Sequence, residues 1–152
     1  MKKIVILISF LSLFLSCTVY TFREYEITVS LKNAADAMDY YVPIVDENRG
    51  YVGDPLKLTK GNNFTDTMTC FGVGKQVDLH NPAEGTSLRK RLEQIKTGGT
   101  YTIEELDVNG DRIPKYTIKC TSDDVEDVTA QDDLYRRYKI TLDWNKRVPI
   151  AE

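Results

Sequence analysis

The residue types that carry most enzyme chemistry are thin in this chain. One histidine, His80, sits where a strand-like pattern runs out into Asn81-Pro82, and a zinc site built on it would need carboxylates or cysteines gathered around it. Its setting reads as a surface-loop histidine. A serine triad would need His80 beside Ser30, Ser87 or Ser122, and none of these stands in a Gly-x-Ser-x-Gly elbow. Carboxylates are the plentiful groups. Asp123, Asp124, Glu126, Asp127, Asp132 and Asp133 crowd into one short stretch, which repels itself unless a cation or a basic partner answers it. Paired carboxylates are also the machinery of glycoside hydrolysis, but spacing along a chain fixes no separation in space.

The segment Asp107-Val108-Asn109-Gly110-Asp111 places oxygen-bearing side chains at alternate positions. It resembles the first half of calcium loops of the EF-hand and dockerin type, whose oxygens at positions 1, 3 and 5 suit a hard cation. Position 12 of such a loop should be acidic, and here it is Ile118. Strand-like sequence flanks the segment on both sides, where Asn-Gly signals a type I′ hairpin. A hairpin is the leading reading. Calcium at Asp107, Asn109 and Asp111, or at Asp123 and Asp124, is the alternative, and otherwise no cofactor is expected.

The N-terminus carries the clearest signal. Lys2 and Lys3 precede Ile4 to Leu15, apolar except for Ser9 and Ser12, and then come Ser16 and Cys17. This is a positive n-region, an apolar h-region and a small residue at the cut. At 1.5 Å per residue the apolar run is only about 18 Å long, short of the roughly 30 Å of hydrocarbon that a membrane helix must cross. Phe14-Leu15-Ser16-Cys17 resembles the lipobox of bacterial lipoproteins. The resemblance implies diacylglycerol on the Cys17 thiol, cleavage before it, and several acyl chains on the finished protein, enough for firm anchoring. It also implies a bacterial cell-envelope address, with Thr18 rather than Asp after the cysteine favouring the outer over the inner membrane. With Cys17 taken by lipid, Cys70 and Cys120 are left as an even pair, and in an oxidising compartment such a pair is expected to bond. Closing a loop of about 50 residues would stabilise the fold by about 4 kcal/mol in the chain-entropy model.

The expected layout is then a signal peptide at 1–16, a lipid tether at 17–23, one domain at 24–147 and a flexible C-terminus at 148–152. That is enough chain for a single core. Loss of Lys2 and Lys3 takes the formal net charge from −3 to about −5, a mildly acidic surface with no footprint for nucleic acid.

Apolar alternation predicts a strand at 24–32, with Tyr25, Ile27, Val29 and Leu31 on one face, and further strands near 40–46, 55–60, 64–71, 74–79, 100–107, 112–121 and 135–144. The apolar phase of these strands carries Cys70 and Cys120 inward. One helix is signalled at 87–96, with Thr86 or Ser87 as cap, Leu88, Leu92 and Ile95 in a stripe, and Gly98-Gly99 as the stop. A second helical turn is expected at 33–39. The fold class is mainly β: an antiparallel β-sandwich or open barrel with one short helix packed on it, with α+β as the alternative. Among the nine tyrosines, Tyr40, Tyr41, Tyr51, Tyr101 and Tyr135 fall near strand ends, where aromatic rings serve protein or glycan contacts.

These features favour a membrane-anchored envelope lipoprotein that is not an enzyme but a binding or scaffolding module for an envelope protein or glycan. The alternative is a small carboxylate-dependent hydrolase, with or without calcium.

Overall fold

Alternation makes the first strand. Every second residue from Tyr25 to Leu31 is apolar, and a strand sends successive side chains to opposite faces. Tyr25, Ile27, Val29 and Leu31 therefore enter the core while Glu26, Thr28 and Ser30 stay half-buried outside it. The computed structural model describes residues 20–46, 50–51, 53–75, 87–131 and 136–151. Within them the elements run β1 (Tyr20–Lys32), β2 (Tyr40–Val42), β3 (Val45–Asp46), β4 (Gly50–Tyr51), β5 (Leu56–Leu58), β6 (Thr65–Lys75), α1 (Ser87–Thr97), β7 (Gly98–Leu106), β8 (Arg112–Thr121), β9 (Val125–Asp127), β10 (Arg136–Asp143) and β11 (Val148–Pro149).

The first sheet has the order β6-β1-β10-β9. β1 pairs antiparallel with β6, placing Tyr25 beside Cys70, and parallel with β10, placing Ile27, Val29 and Leu31 beside Tyr138, Ile140 and Leu142. All of these side chains are buried. The parallel ladder departs from the purely antiparallel expectation. It arises because β1 and β10 lie at opposite ends of the domain's sequence, so no tight turn dictates their relative direction. The second sheet has the order β11-β8-β7-β2-β5 and turns Tyr40, Val42, Leu56, Leu58, Ile103, Ile118 and Cys120 toward the first, forming one core. Two open sheets thus pack as a sandwich, not a closed barrel, and the class is mainly β rather than α+β.

Several boundaries differ from expectation. β1 begins at Tyr20, paired with Lys75, so part of the anticipated tether at 17–23 is strand. β6 runs on to Lys75, and 76–79 lie outside the described residues. Residues 33–39 form turns instead of a helix. Asn33, at φ 60°, turns the chain out of β1 and donates from its side-chain amide to Asp143 Oδ1 at 2.9 Å. The C-terminal segment does not trail off, because Val148–Pro149 adds an edge strand to β8 and Ile150 N–H donates to the Lys115 carbonyl at 3.0 Å. Pro149 is tolerated there since an edge strand has a side that needs no donor.

Trp144 packs directly after β10, its ring centre 4.6 Å from Tyr40 and 5.0 Å from Tyr116. The Arg147 guanidinium lies 4.4 Å over the indole and donates to the Trp144 carbonyl, a cation–π contact over the ring that binds cations best.

Helix α1 lays Leu92 and Ile95 into the core, as the stripe predicts, and touches β6, β7 and β9. It ends where Gly98 takes φ +83° and the chain passes straight into β7. A Cβ on Gly98 would stand 2.4 Å from the Cys120 carbonyl oxygen, whereas one on Gly99 meets nothing within 4 Å. Gly98→Ala is therefore expected to cost about 2 kcal/mol or more in a denaturant melt, and Gly99→Ala about 0.5 kcal/mol or less. Equal midpoints for the two variants would contradict this packing.

Candidate functional site

The structure scatters the residues that the sequence singles out. Cys17, His80, Asp132, Asp133 and Tyr135 lie outside the described residues. Cys70 and Cys120 do face inward, as their phase predicts, but they are two separate buried thiols and not a disulfide. The expected bridge is thus corrected. Cys70 sits on β6 of the first sheet and Cys120 on β8 of the second, and the Cys120 Sγ points to the Thr121 carbonyl at 3.5 Å. Burial, with the charge of Asp124 behind it, pushes the Cys120 thiol up in pKa. It is a core thiol and a poor nucleophile.

The calcium candidates do not converge either. The loop between β7 and β8 folds on itself: Asp107 Oδ1 accepts from the amides of Asn109 and Asp111 at 2.8 Å, and the Asn109 side-chain amide donates to Oδ2 at 3.3 Å. The amide of Asp111, then burial opposing it, then Asn109 and Gly110 leave the Asp107 carboxyl below its usual range. The turn is not type I′, because only Gly110 has positive φ (+86°) and Asn109 does not. Gly110 N–H donates to the Asp107 carbonyl and Asp107 N–H to that of Asp111, the pattern of a three-residue hairpin closed by a left-handed glycine.

At the far end of β8, Asp124 Oδ2 accepts from the Thr121 amide and hydroxyl, each at 2.9 Å, while Asp123 is exposed. A ten-residue strand separates the two acidic groups by about 30 Å, so they cannot share a cation. Among the described residues no group of three or more His, Cys, Asp or Glu could hold a metal ion. Basic residues answer part of the acidic stretch, Lys146 at 3.9 Å from Asp124, and Lys96 and Arg136 at 3.4 and 3.3 Å from Asp127.

What the structure does assemble is a cleft on the outer side of the second sheet, of about 540 Å³, lined by Pro43, Gly53, Asp54, Pro55, Glu104, Gly110, Asp111 and Arg112. The alternation of β7 buries Ile103 between the sheets and sends Glu104 to the other face, beside a register shift that opposes Glu104 to Pro114 instead of Lys115. Such bulges re-aim side chains. The chain around Pro43 and from Gly53 to Pro55 walls in this otherwise outward position, leaving Glu104 only 9% exposed. Among the described residues its side chain has no hydrogen bond and no ion pair, and its carboxyl oxygens are not fully buried but open to the cleft. Asp54, Asp111 and Arg112 stand exposed at the rim.

Tyr41, opposite Glu104 in the sheet, is half-buried. The Lys57 ammonium and the Arg112 guanidinium lie 5.8 and 6.0 Å from its ring centre, and Asp39 pairs with Lys57 at 3.1 Å. Tyr40 is core, not a contact residue. Among the described residues no side-chain hydroxyl, thiol, imidazole or ammonium lines the cleft, whose charged groups are three carboxyls and one guanidinium. Sequence reasoning named Asp111 but missed Glu104, Asp54 and Arg112.

The carboxyls of Asp107, Asp124, Asp127 and Asp143 all sit below their usual range. At Asp124 the Thr121 amide leads, at Asp143 the Asn33 side chain leads, and at Asp127 the Thr129 hydrogen bonds and the charge of Arg136 outweigh burial, the largest single influence. A carboxyl whose pKa falls on folding contributes stability above its unfolded value, about 3.9 for Asp, and loses it as pH drops through the folded value. Unfolding midpoints are expected to hold from neutrality to about pH 5 and to fall below about pH 4, with a shallower acid limb in Asp143→Asn. A protein that gains stability from pH 5 to pH 3 would refute these pairings.

Comparison with protein-family models, with curated proteins and with solved structures found no match to this chain.

Proposed function

We propose that this chain is a membrane-anchored envelope lipoprotein whose β-sandwich is a non-catalytic binding module for an envelope protein or glycan, anchored through lipid on Cys17 and held at the outer membrane in preference to the inner. The observation that carries the binding role is the Glu104 cleft, since a carboxyl that lines a walled cavity with no partner among the described residues is left to pair with what enters it. Its lining supplies contacts but no nucleophile and base in the usual pairing. The anchoring half rests on the leader and on Phe14-Leu15-Ser16-Cys17. No helix among the described residues is long and apolar enough to cross a membrane.

A second reading, a small carboxylate-dependent hydrolase, draws on one specific observation: Asp54, Glu104 and Asp111 share the cleft. Two carboxyls across a bond are the minimum for glycoside hydrolysis.

Intact mass of the protein extracted from membranes tests the anchor. The expected species starts at Cys17 and carries diacylglycerol on its sulfur, and a bare thiol or a retained leader would overturn it. Incubation with isolated envelope glycan tests the module. No release of fragments is expected, and fragment release abolished by Glu104→Gln would replace the binding role with the hydrolase.

A further inference from the structure

We infer that the Glu104 cleft recognises an organic cation, the ammonium or guanidinium of a basic side chain presented by a protein partner; this rests on the binding-module reading and names its ligand class. Among the described residues three carboxyl groups and one guanidinium line the cavity, so negative charge and acceptors are in excess there. Glu104 sets the requirement most sharply. It is nine-tenths buried, lines the cavity, and has no hydrogen bond or ion pair among the described residues. An ionised carboxylate only accepts, and a charge-assisted bond from N–H⁺ is the strongest contact open to it.

A metal ion fits poorly. Calcium needs six to eight oxygens at about 2.3–2.6 Å, and no three acidic side chains among the described residues converge closely enough to begin such a shell. An ammonium or guanidinium spans wider gaps, because each N–H···O contact adds about 2.7–3.2 Å of reach. The rings of Pro43 and Pro55 offer apolar contact to the methylene stem of a lysine or arginine. Asp54 and Asp111 at the mouth draw the charge in.

A sugar is the poorer fit for this cleft. Among the described residues no aromatic side chain lines it to serve as a stacking platform, and the nearby Tyr41 ring already holds Lys57 and Arg112 close by. The Arg112 guanidinium, drawn toward that ring, leaves the Glu104 carboxyl to the incoming cation.

The test uses full-length protein in detergent and calorimetric titration with four probes: a lysine-bearing peptide, the same peptide with Nε-acetyl-lysine, spermidine and a neutral oligosaccharide. The lysine peptide is expected to bind, more weakly as salt rises. Acetylation and Glu104→Gln should each weaken it by about tenfold or more, and Asp111→Asn by less. Glu104→Gln keeps the size of the side chain and removes only its charge, so its melting temperature should stay near the wild-type value, and lost binding in a well-folded variant speaks for the site. Equal binding of the two peptides, or an unchanged Kd in Glu104→Gln, would overturn the inference. Spermidine bound without the peptide would overturn the protein source. Oligosaccharide bound through Glu104 with no peptide binding would overturn the cation while leaving the module intact, whereas a bare Cys17 thiol overturns the anchored reading independently.

Discussion

β1 is the constraint on which the rest depends. It is hydrogen-bonded on both sides, to β6 and to β10, and its buried side chains Tyr25, Ile27, Val29 and Leu31 face the second sheet. Because side chains alternate strictly, a one-residue slip would turn Tyr25, Ile27, Val29 and Leu31 to solvent and bring Glu26, Thr28 and Ser30 inside. Burial therefore fixes the register, the register fixes which residues of β6 and β10 join the core, and the core gives the second sheet something to pack on. Helix α1 extends the same core with Leu92 and Ile95.

The cleft is a by-product of that arrangement. Sandwiches bury one face of each sheet and leave the other to solvent, so an acidic residue in the outward phase of β7 should simply be hydrated. Glu104 is instead largely shielded, because the chain around Pro43 after β2 and from Gly53 to Pro55 before β5 folds over the outer face next to it. The group that binding would use is thus one that folding alone gives no reason to bury.

Local periodicity made most strands legible, along with the helix and its glycine stop, since each depends on neighbours two or four residues away. What escaped was set by tertiary contact. β9 is hidden inside an acidic stretch, yet pairs Val125 with Ile140 and Asp127 with Tyr138. β11 looks like a tail until an edge is present to receive it. Cys70 and Cys120 were correctly phased, but phase says nothing of whether two sulfurs meet. Asp107 and Asn109 have cation-loop spacing and spend it on their own backbone. Asp111 alone of the sequence-named acids joins the cleft, and Glu104 carries no local mark because Ile103-Glu104-Glu105 reads as an ordinary strand with a wet side.

The parallel ladder has a consequence for the order in which the molecule can be completed. Val29 is made early and its neighbour Ile140 late, so a ribosome must deliver nearly the whole polypeptide before the central sheet can close. Contacts this distant are slow to form. Until then β1 has only β6 beside it, and its other edge waits unpaired for β10.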